Sequence, residues 1–516
     1  MKSAISMLIV NLIVAGSLCP KYCVAQTGDV VFEVVDKKSQ EPLAARMHLK
    51  DSKGKFVKPP KSVFWHDHFV FDGSIAIKLR PGMYEYELEC GPEYKLAVGQ
   101  FEVEKTTNDT HQVEMERFVD MRKEGWVAGD LHIHRPINDI SVLMKAEDLY
   151  MAPVITWWND QNLWEGKKPP SSLATEPLPK HWSNVMAGED EREGGALLFF
   201  GLQEPLPIKG LGRDYPSATA VGLLARKKGV THIDGEKPFW WEFPIWVAHD
   251  VIDSVGIANN HQQRDGMMDN EAWGKPRSKD IYPLKTDNGA WSMEIYFRLL
   301  NCGIRMPPSA GSASGVLPNP VGYNRVYVHI DPASENSNAI TPETWWKGLQ
   351  QGRVVVTNGP MLRPKFEGRA PGHIFKGIPG ETLEIETTAE LATRDKIVYF
   401  EVIQNGKVAS TVQLGKWLEL GGKLPKMKFS ESGWMTVRTL TDNPKTYRFA
   451  MSGPVYVDFD GKPRISKRDS KFFLDWCKEA RDRTKIKDAK QLSNTLAIYD
   501  KAIAFWEEKV ASANAD

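Results

Sequence analysis

Cysteine is scarce in this chain, with five in 516 residues. Cys19 and Cys23 fall near the start, and Cys90, Cys302 and Cys477 are scattered singly. Three scattered thiols close at most one disulfide, so a disulfide framework is excluded, and a Cys-x-x-Cys zinc motif is absent. Net charge is also missing: Lys plus Arg and Asp plus Glu each number 66. Nothing in that balance steers the chain toward nucleic acid or an anionic membrane. The extended apolar run Ile5 to Leu18 is too short for a stable membrane span. There is no Gly-x-Ser-x-Gly elbow, no Gly-Lys-Ser/Thr phosphate loop and no His-Glu-x-x-His. Gly311-Ser-Ala-Ser-Gly315 follows Pro307-Pro308 and reads as a tight loop, not a dinucleotide turn.

Tryptophan, by contrast, is plentiful at 17 residues, as packing material or as faces for a sugar. The opening reads as an export signal: Lys2, the apolar run, then Cys23-Val24-Ala25 as a cleavage site, with residues 1–25 removed. A secreted or periplasmic location follows. Alternating segments such as Tyr84-Glu-Tyr-Glu-Leu-Glu, with Pro81-Gly82 as a turn, predict an N-terminal β-sandwich over 26–118. Short apolar runs alternate with helix-compatible stretches over 119–360, which predicts a closed or nearly closed α/β barrel. Helices are expected at Val142–Met151, Ser217–Lys228 and Trp291–Asn301. Strands return over 361–460 as a second sandwich, with Asn405-Gly406 as a hairpin turn, and 461–516 reads as a helical tail packed on the body. The fold class expected is therefore multidomain: a distorted TIM-like α/β barrel flanked by β-sandwiches.

The chemistry centres on Gly129-Asp130-Leu131-His132-Ile133-His134. On a strand, side chains two apart share a face, so His132 and His134 can grip one metal ion. The alternative is a hydrogen-bonded pair of partly buried imidazoles. Asp130 lies on the same face and can orient a ring, and Asp139 offers a loop oxygen or a helix cap. Glu189 sits in Gly188-Glu-Asp-Glu191, a charge run that alone reads as solvent-facing. His232 closes an apolar run, and His261 follows Asn259-Asn260. Mixed imidazole and carboxylate donors suit zinc first, with manganese or iron as alternatives.

With these residues in view, the segment 120–360 resembles the PHP (polymerase and histidinol phosphatase) superfamily, in its secreted CehA/McbA-like metallohydrolase branch. Gly129-Asp-Leu-His-Ile-His134 matches the family's opening motif, Asn138-Asp139 its Ser-Asp-Gly, and Gly188-Glu189 its bridging glutamate. His232 lies where a His-Pro ligand is expected, although Ile233 replaces the proline. Gly303-Ile-Arg305, Gly311-Ser312, Gly322-Tyr-Asn-Arg-Val-Tyr327 and Val356-Thr-Asn-Gly-Pro-Met361 are similar to later segments. The departures are large. Thr-Asp-His-Asn reads Thr156-Trp157-Trp158-Asn159, Gly-His reads Gly195-Ala196, and Gly-Ser-Asp-x-His reads Gly311-Ser-Ala-Ser-Gly315. The usual three-ion cluster is thereby excluded.

The resemblance implies a metal set drawn from His132, His134, Asp139, Glu189, His232 and His261. Asp139 or His232 would serve as general base, and Arg305 would stabilise developing negative charge. Trp157, Trp158, Asn159, Trp240 and Trp241 would form a substrate platform. The activity expected is hydrolysis of an ester or phosphoester bond, on a small molecule or a carbohydrate-derived substrate. The alternative is an inactive barrel that binds carbohydrate or serves a structural role in the envelope. The oligomeric state is open.

Overall fold

Apolar residues at every second position of Gly28–Asp36 put Val30, Phe32 and Val34 on one buried face. That strand lies between Ser74–Leu79 and Asn108–Met115 in a three-stranded sheet. It packs on a five-stranded sheet built from Val63–Trp65, His68–Asp72, Ala44–Asp51, Gly82–Glu89 and Ala97–Val103. Met47, Leu49, Phe69, Leu88 and Phe101 face it across a separate core, with the Phe32 and Phe101 rings edge-on at 5.5 Å. The computed structural model describes residues 27–170, 174–330 and 340–516. The expected export segment, with Cys19 and Cys23, lies outside the described residues.

A second, mixed sheet follows. It runs in the order Gln161–Asn162, Ile155–Trp158, Ala187–Arg192, Gly195–Phe200, His232–Gly235, Ser254–Ala258, Pro308–Ala310. Ile155–Trp158 is parallel to Ala187–Arg192, and His232–Gly235, Ser254–Ala258 and Pro308–Ala310 run parallel in turn. Gly195–Phe200 is antiparallel to both its neighbours, so this is not a uniform parallel repeat. The segment Asp130–His134 bonds on both sides. Leu131 N donates to Ala310 O at 3.1 Å and His134 N to Ser314 O at 2.8 Å, while Ile155 N donates to Ile133 O at 2.8 Å.

Helices cover this sheet. Ala218–Lys227 begins with the Ser217 hydroxyl accepting from Ala220 N. Asp287–Asn301 starts four residues before the expected Trp291, and the chain turns away at Gly303 just past its cap, where a φ of 73° suits a glycine. The helix expected at Val142–Met151 runs instead over Ile140–Ala146, with Asp139 in the cap position but no side-chain cap bond.

The strand Trp126–Gly129 joins a nine-stranded sheet with Arg325–His329, Val354–Thr357, Phe449–Ser452, Gly433–Thr441 and others. Met361–Phe366, Leu383–Ala392 and Lys423–Phe429 form a three-stranded sheet beside it. Asn405 and Gly406 both have positive φ, 49° and 79°, as a tight hairpin turn requires. The terminal helices Lys467–Asp482 and Ala489–Ala511 dock through Trp506, whose indole donates to Pro244 O at 2.9 Å. One continuous apolar core extends from the mixed sheet through the C-terminal strands to these helices. The chain is thus a multidomain protein with mixed α/β sheets and C-terminal helices. Cys90, Cys302 and Cys477 are buried and free. Among the described residues, no helix is long and apolar enough to cross a membrane.

Candidate metal centre

His132 and His134 leave the same side of their strand segment, and Glu189 reaches them from the adjoining sheet. The two Nε2 atoms lie 3.0 Å apart. Glu189 Oε2 stands 3.1 Å from His134 Nε2 and 3.5 Å from His132 Nε2. Bonds of about 2.0–2.1 Å to a tetrahedral ion place its ligands about 3.3–3.4 Å apart, so these three atoms approximate one face of such a shell. Glu189 Oε2 is buried and no donor is aligned on it. A buried carboxylate oxygen without a partner is costly, and a cation at the centre of this face would satisfy it. The donor set therefore fits a divalent ion.

The charge run around Glu189 resolves by parity. Glu189 and Glu191 share one face of Ala187–Arg192, while Asp190 and Arg192 share the other and pair at 2.5 and 2.7 Å. The strand end is fixed by Asn159. Its Oδ1 accepts from Glu191 N at 2.9 Å, and its own N–H donates to Glu189 O at 3.3 Å. Asn159 has φ 48°, a conformation asparagine tolerates better than most residues. It positions the carboxylates and is not part of a platform.

Asp130 does not touch an imidazole. It accepts from the backbone N–H groups of His132 at 3.0 Å, Ser312 at 3.0 Å and Gly322 at 2.7 Å, and from the Ser312 hydroxyl at 2.5 Å. It ties the histidine segment to the Gly311–Ser314 loop. His132 Nδ1 instead faces Glu236 Oε1 at 3.4 Å. The other oxygen of Glu236 pairs with Lys237 and accepts from Trp240 Nε1 at 3.2 Å.

Glu236 and Lys237 are the residues that sequence reasoning missed. The signal was present: His232 and Asp234 alternate along one strand, and Glu236 continues the spacing just past its C-terminal end at Gly235. His232 is the first residue of that strand, about 13 Å from Glu236 at ~3.3 Å per residue. There it packs against Trp346 and bonds to Ser254 Oγ at 2.7 Å. The Ser254 and Ser309 hydroxyls both donate to Asp234. With the Ser254 proton committed, His232 Nε2–H is the donor to Ser254, and burial, which holds His232 down to about 4, keeps the ring a neutral structural group.

Other expected residues fall outside the centre. Asp139 lies on a short turn, partly exposed, and faces Arg135 at 3.9 Å. Arg305 precedes strand Pro308–Ala310, at its N-terminal end, and pairs with Asp458. Trp157 is core: it stacks on Phe199 at 5.6 Å and donates to Met186 O. Trp241 is buried on the other side, edge-on to Trp476 of the C-terminal helices. Trp240 is fully buried, holding Glu236. Of the expected platform only Trp158 remains, half-buried and edge-on to His134 at 4.9 Å. His261 is buried against Phe239, outside the three-atom face. Burial and the Lys237 charge push it down to about 3.

Burial opposes every charge in the centre, and neighbours decide the outcome. For His132, Glu189 and Glu236 outweigh burial and lift it to about 10. Burial wins for His134, which is lowered. Glu236 is held down to about 2 because Lys237 and His132 overcome its burial. Glu191 is pushed up to about 7 by burial and by Glu189.

Two further groups in the N-terminal sandwich have donor atoms compatible with a divalent ion: His48–Asp67–His68 and His48–Glu87–Glu89. There the Arg46 guanidinium donates to His48 Nε2 at 2.7 Å, and His68 Nδ1 lies 2.9 Å from Asp67. A guanidinium on Nε2 takes that lone pair and leaves the ring proton on Nδ1, the nitrogen that faces Asp67, so neither nitrogen is free for a metal.

No family model and no curated protein matches this chain. Among solved structures it is similar to fibronectin(III)-like modules of Clostridium thermocellum CbhA, at 14% identity and TM-score 0.14, over 26% of this chain and 62% of that one. It is also similar to apo Bacteroides uniformis beta-glucuronidase 3, at 10% identity and TM-score 0.17, over 85% of this chain and 64% of that one. The chain spans less than two thirds of either. At these scores neither likeness carries an argument about fold or activity.

Proposed function

We propose that this chain is an exported metal-dependent hydrolase of ester or phosphoester bonds, built on a distorted PHP-like barrel. The observation that carries the reading is the convergence of His132 Nε2, His134 Nε2 and the buried Glu189 Oε2 at 3.0–3.5 Å. Two imidazoles and one carboxylate favour zinc, with manganese or iron as alternatives, and leave a fourth position free. When bound, such an ion acidifies water and polarises a phosphoryl or carbonyl oxygen.

The remaining roles belong to the chain. Glu236 Oε1, 3.4 Å from His132 Nδ1, is the carboxylate placed to steady the ring with Nε2 toward Glu189. Glu191 takes the general-base role first assigned to Asp139 or His232. It shares the strand face of Glu189 and is half-buried beside the centre, where a carboxylate can accept and return a proton. Trp158 beside His134 gives the entrance an apolar wall, suited to a sugar ring or an aromatic ester. Export rests on Lys2, the apolar run Ile5 to Leu18 and Cys23-Val24-Ala25.

Elemental analysis of the full chain, purified without chelator, tests the reading together with His132→Ala. Stoichiometric zinc, manganese or iron in the wild type and its loss in the variant are expected. Turnover of an aryl ester or phosphoester panel should fall at least about 100-fold in Glu191→Gln while the metal is retained. A wild-type chain that takes up no transition metal overturns the proposal.

A further inference from the structure

Lys237 is buried, and an ammonium out of water is costly unless a charge faces it. It faces the very carboxylate that orients His132. Glu236 gives one oxygen to Lys237 and to the Trp240 indole, and turns the other to His132 Nδ1 at 3.4 Å. The Lys237 ammonium also lies over the Trp240 ring, 4.7 Å from its centre. Cation, carboxylate, imidazole and the Glu189 face therefore form one connected row.

The placement of charge along that row is informative. Glu189 and Glu236 are buried and Glu191 is half-buried. Against these three carboxylates stands one ammonium, and imidazoles that bind a metal do so in their neutral form. Buried Asp130 and Asp234 lie close by, so the count of ions is set by where the ammonium sits, on Glu236, and not by the sum of charges. The next carboxylates along are already served. Asp130 takes amide and hydroxyl donors, and Asp234 takes two hydroxyls.

We infer that Lys237 stands as a built-in second cation, so that the centre holds a single divalent ion. An ion approaching Glu236 would meet the ammonium on the same carboxylate, and like charges in a buried site repel strongly. The inference rests on the hydrolase reading for the presence of a first ion. It adds that the count is one and that Lys237, a positioning residue that touches no substrate, sets it.

Zinc titration of the chelator-dialysed full chain by calorimetry, with elemental analysis of the saturated protein, gives the test. One ion per chain is expected in the wild type. Lys237→Met and Lys237→Gln each free Glu236, and either variant that retains the wild-type melting transition should take up two. Lys237→Arg should keep one. No zinc in the wild type removes the hydrolase reading and this inference with it. Two or more ions in the wild type overturn this inference alone. So does a count that stays at one in every folded variant.

Discussion

Gly311 lies directly against His132: a Cβ at Gly311 would collide with the Cβ of His132 and stand 3.2 Å from its backbone nitrogen. The neighbour is the root of a side chain on a strand bonded from both sides, so it has no easy way to give. Gly311→Ala is expected to displace His132 from Glu189. It should lower stability by about 1–3 kcal/mol, as overpacking does, and cost metal retention. Thermal melting and metal content of the purified variant check both. A variant with wild-type metal content would show that the strand yields without moving its imidazole.

Asp130 concentrates four donors on one carboxyl group. Burial raises its proton affinity while those donors lower it. Asp130→Ala would strand three buried N–H groups and a hydroxyl. At roughly 1–3 kcal/mol for an unsatisfied buried group, the loss should exceed about 3 kcal/mol. Urea unfolding at constant slope measures it. Asp130→Asn, which turns an NH2 toward donors, should recover less than half of the loss.

What the sequence disclosed and what it hid divide along parity and register. His132 and His134 were legible because a two-residue spacing on a strand has one geometric meaning. Glu189 was legible only through the resemblance, since a charge run conceals which members face inward until the strand is placed. His232 was misplaced by register: Gly229, with φ 78°, closes the preceding helix, and the strand starts at His232 instead of ending there. That shift of four residues hands the inner position to Glu236. Arg305 follows a helix and precedes a strand, which sets it at the opposite end from the histidines. The flanking β-rich segments and the terminal helices follow from alternation and helical spacing. The sheet that joins Trp126–Gly129 to Phe449–Ser452 through Arg325–His329 and Val354–Thr357 depends on distant pairings such as Gly129 with Val326 and Val355 with Ser452, which no local pattern carries.

His232 makes a prediction about acid. Burial holds it down to about 4 in the fold, against ~6.5 in an unfolded chain. As pH falls, the unfolded chain takes up this proton first. The stabilisation is therefore complete above pH ~6.5 and is lost progressively toward pH 4, by up to about 3 kcal/mol. Urea midpoints at pH 7 and pH 4.5 should differ less in His232→Asn than in the wild type, and metal content at pH 7 should not change. Equal acid losses in both proteins would show that His232 takes no part in the transition.

Trp157 and Trp158 are adjacent, yet alternation sends them to different environments. Trp157 is buried against Phe199, and its ring fills the space over Gly188. Trp157→Ala should cost about 3–5 kcal/mol, as large-to-small changes at buried aromatics do. Trp158 is half-buried, and its indole nitrogen has no hydrogen-bond partner. Trp158→Ala should cost about 1 kcal/mol or less and leave metal content intact, because His134 is held by its own strand through Ser314. Its effect belongs to the substrate side. KM for an aryl or glycosyl ester should rise several-fold, while a small acetate ester, with nothing to stack on the ring, should be turned over nearly as before. The pair of melting curves and the two KM values decide the assignment. A large stability loss at Trp158, or equal KM effects on both esters, would make that ring a packing residue like its neighbour.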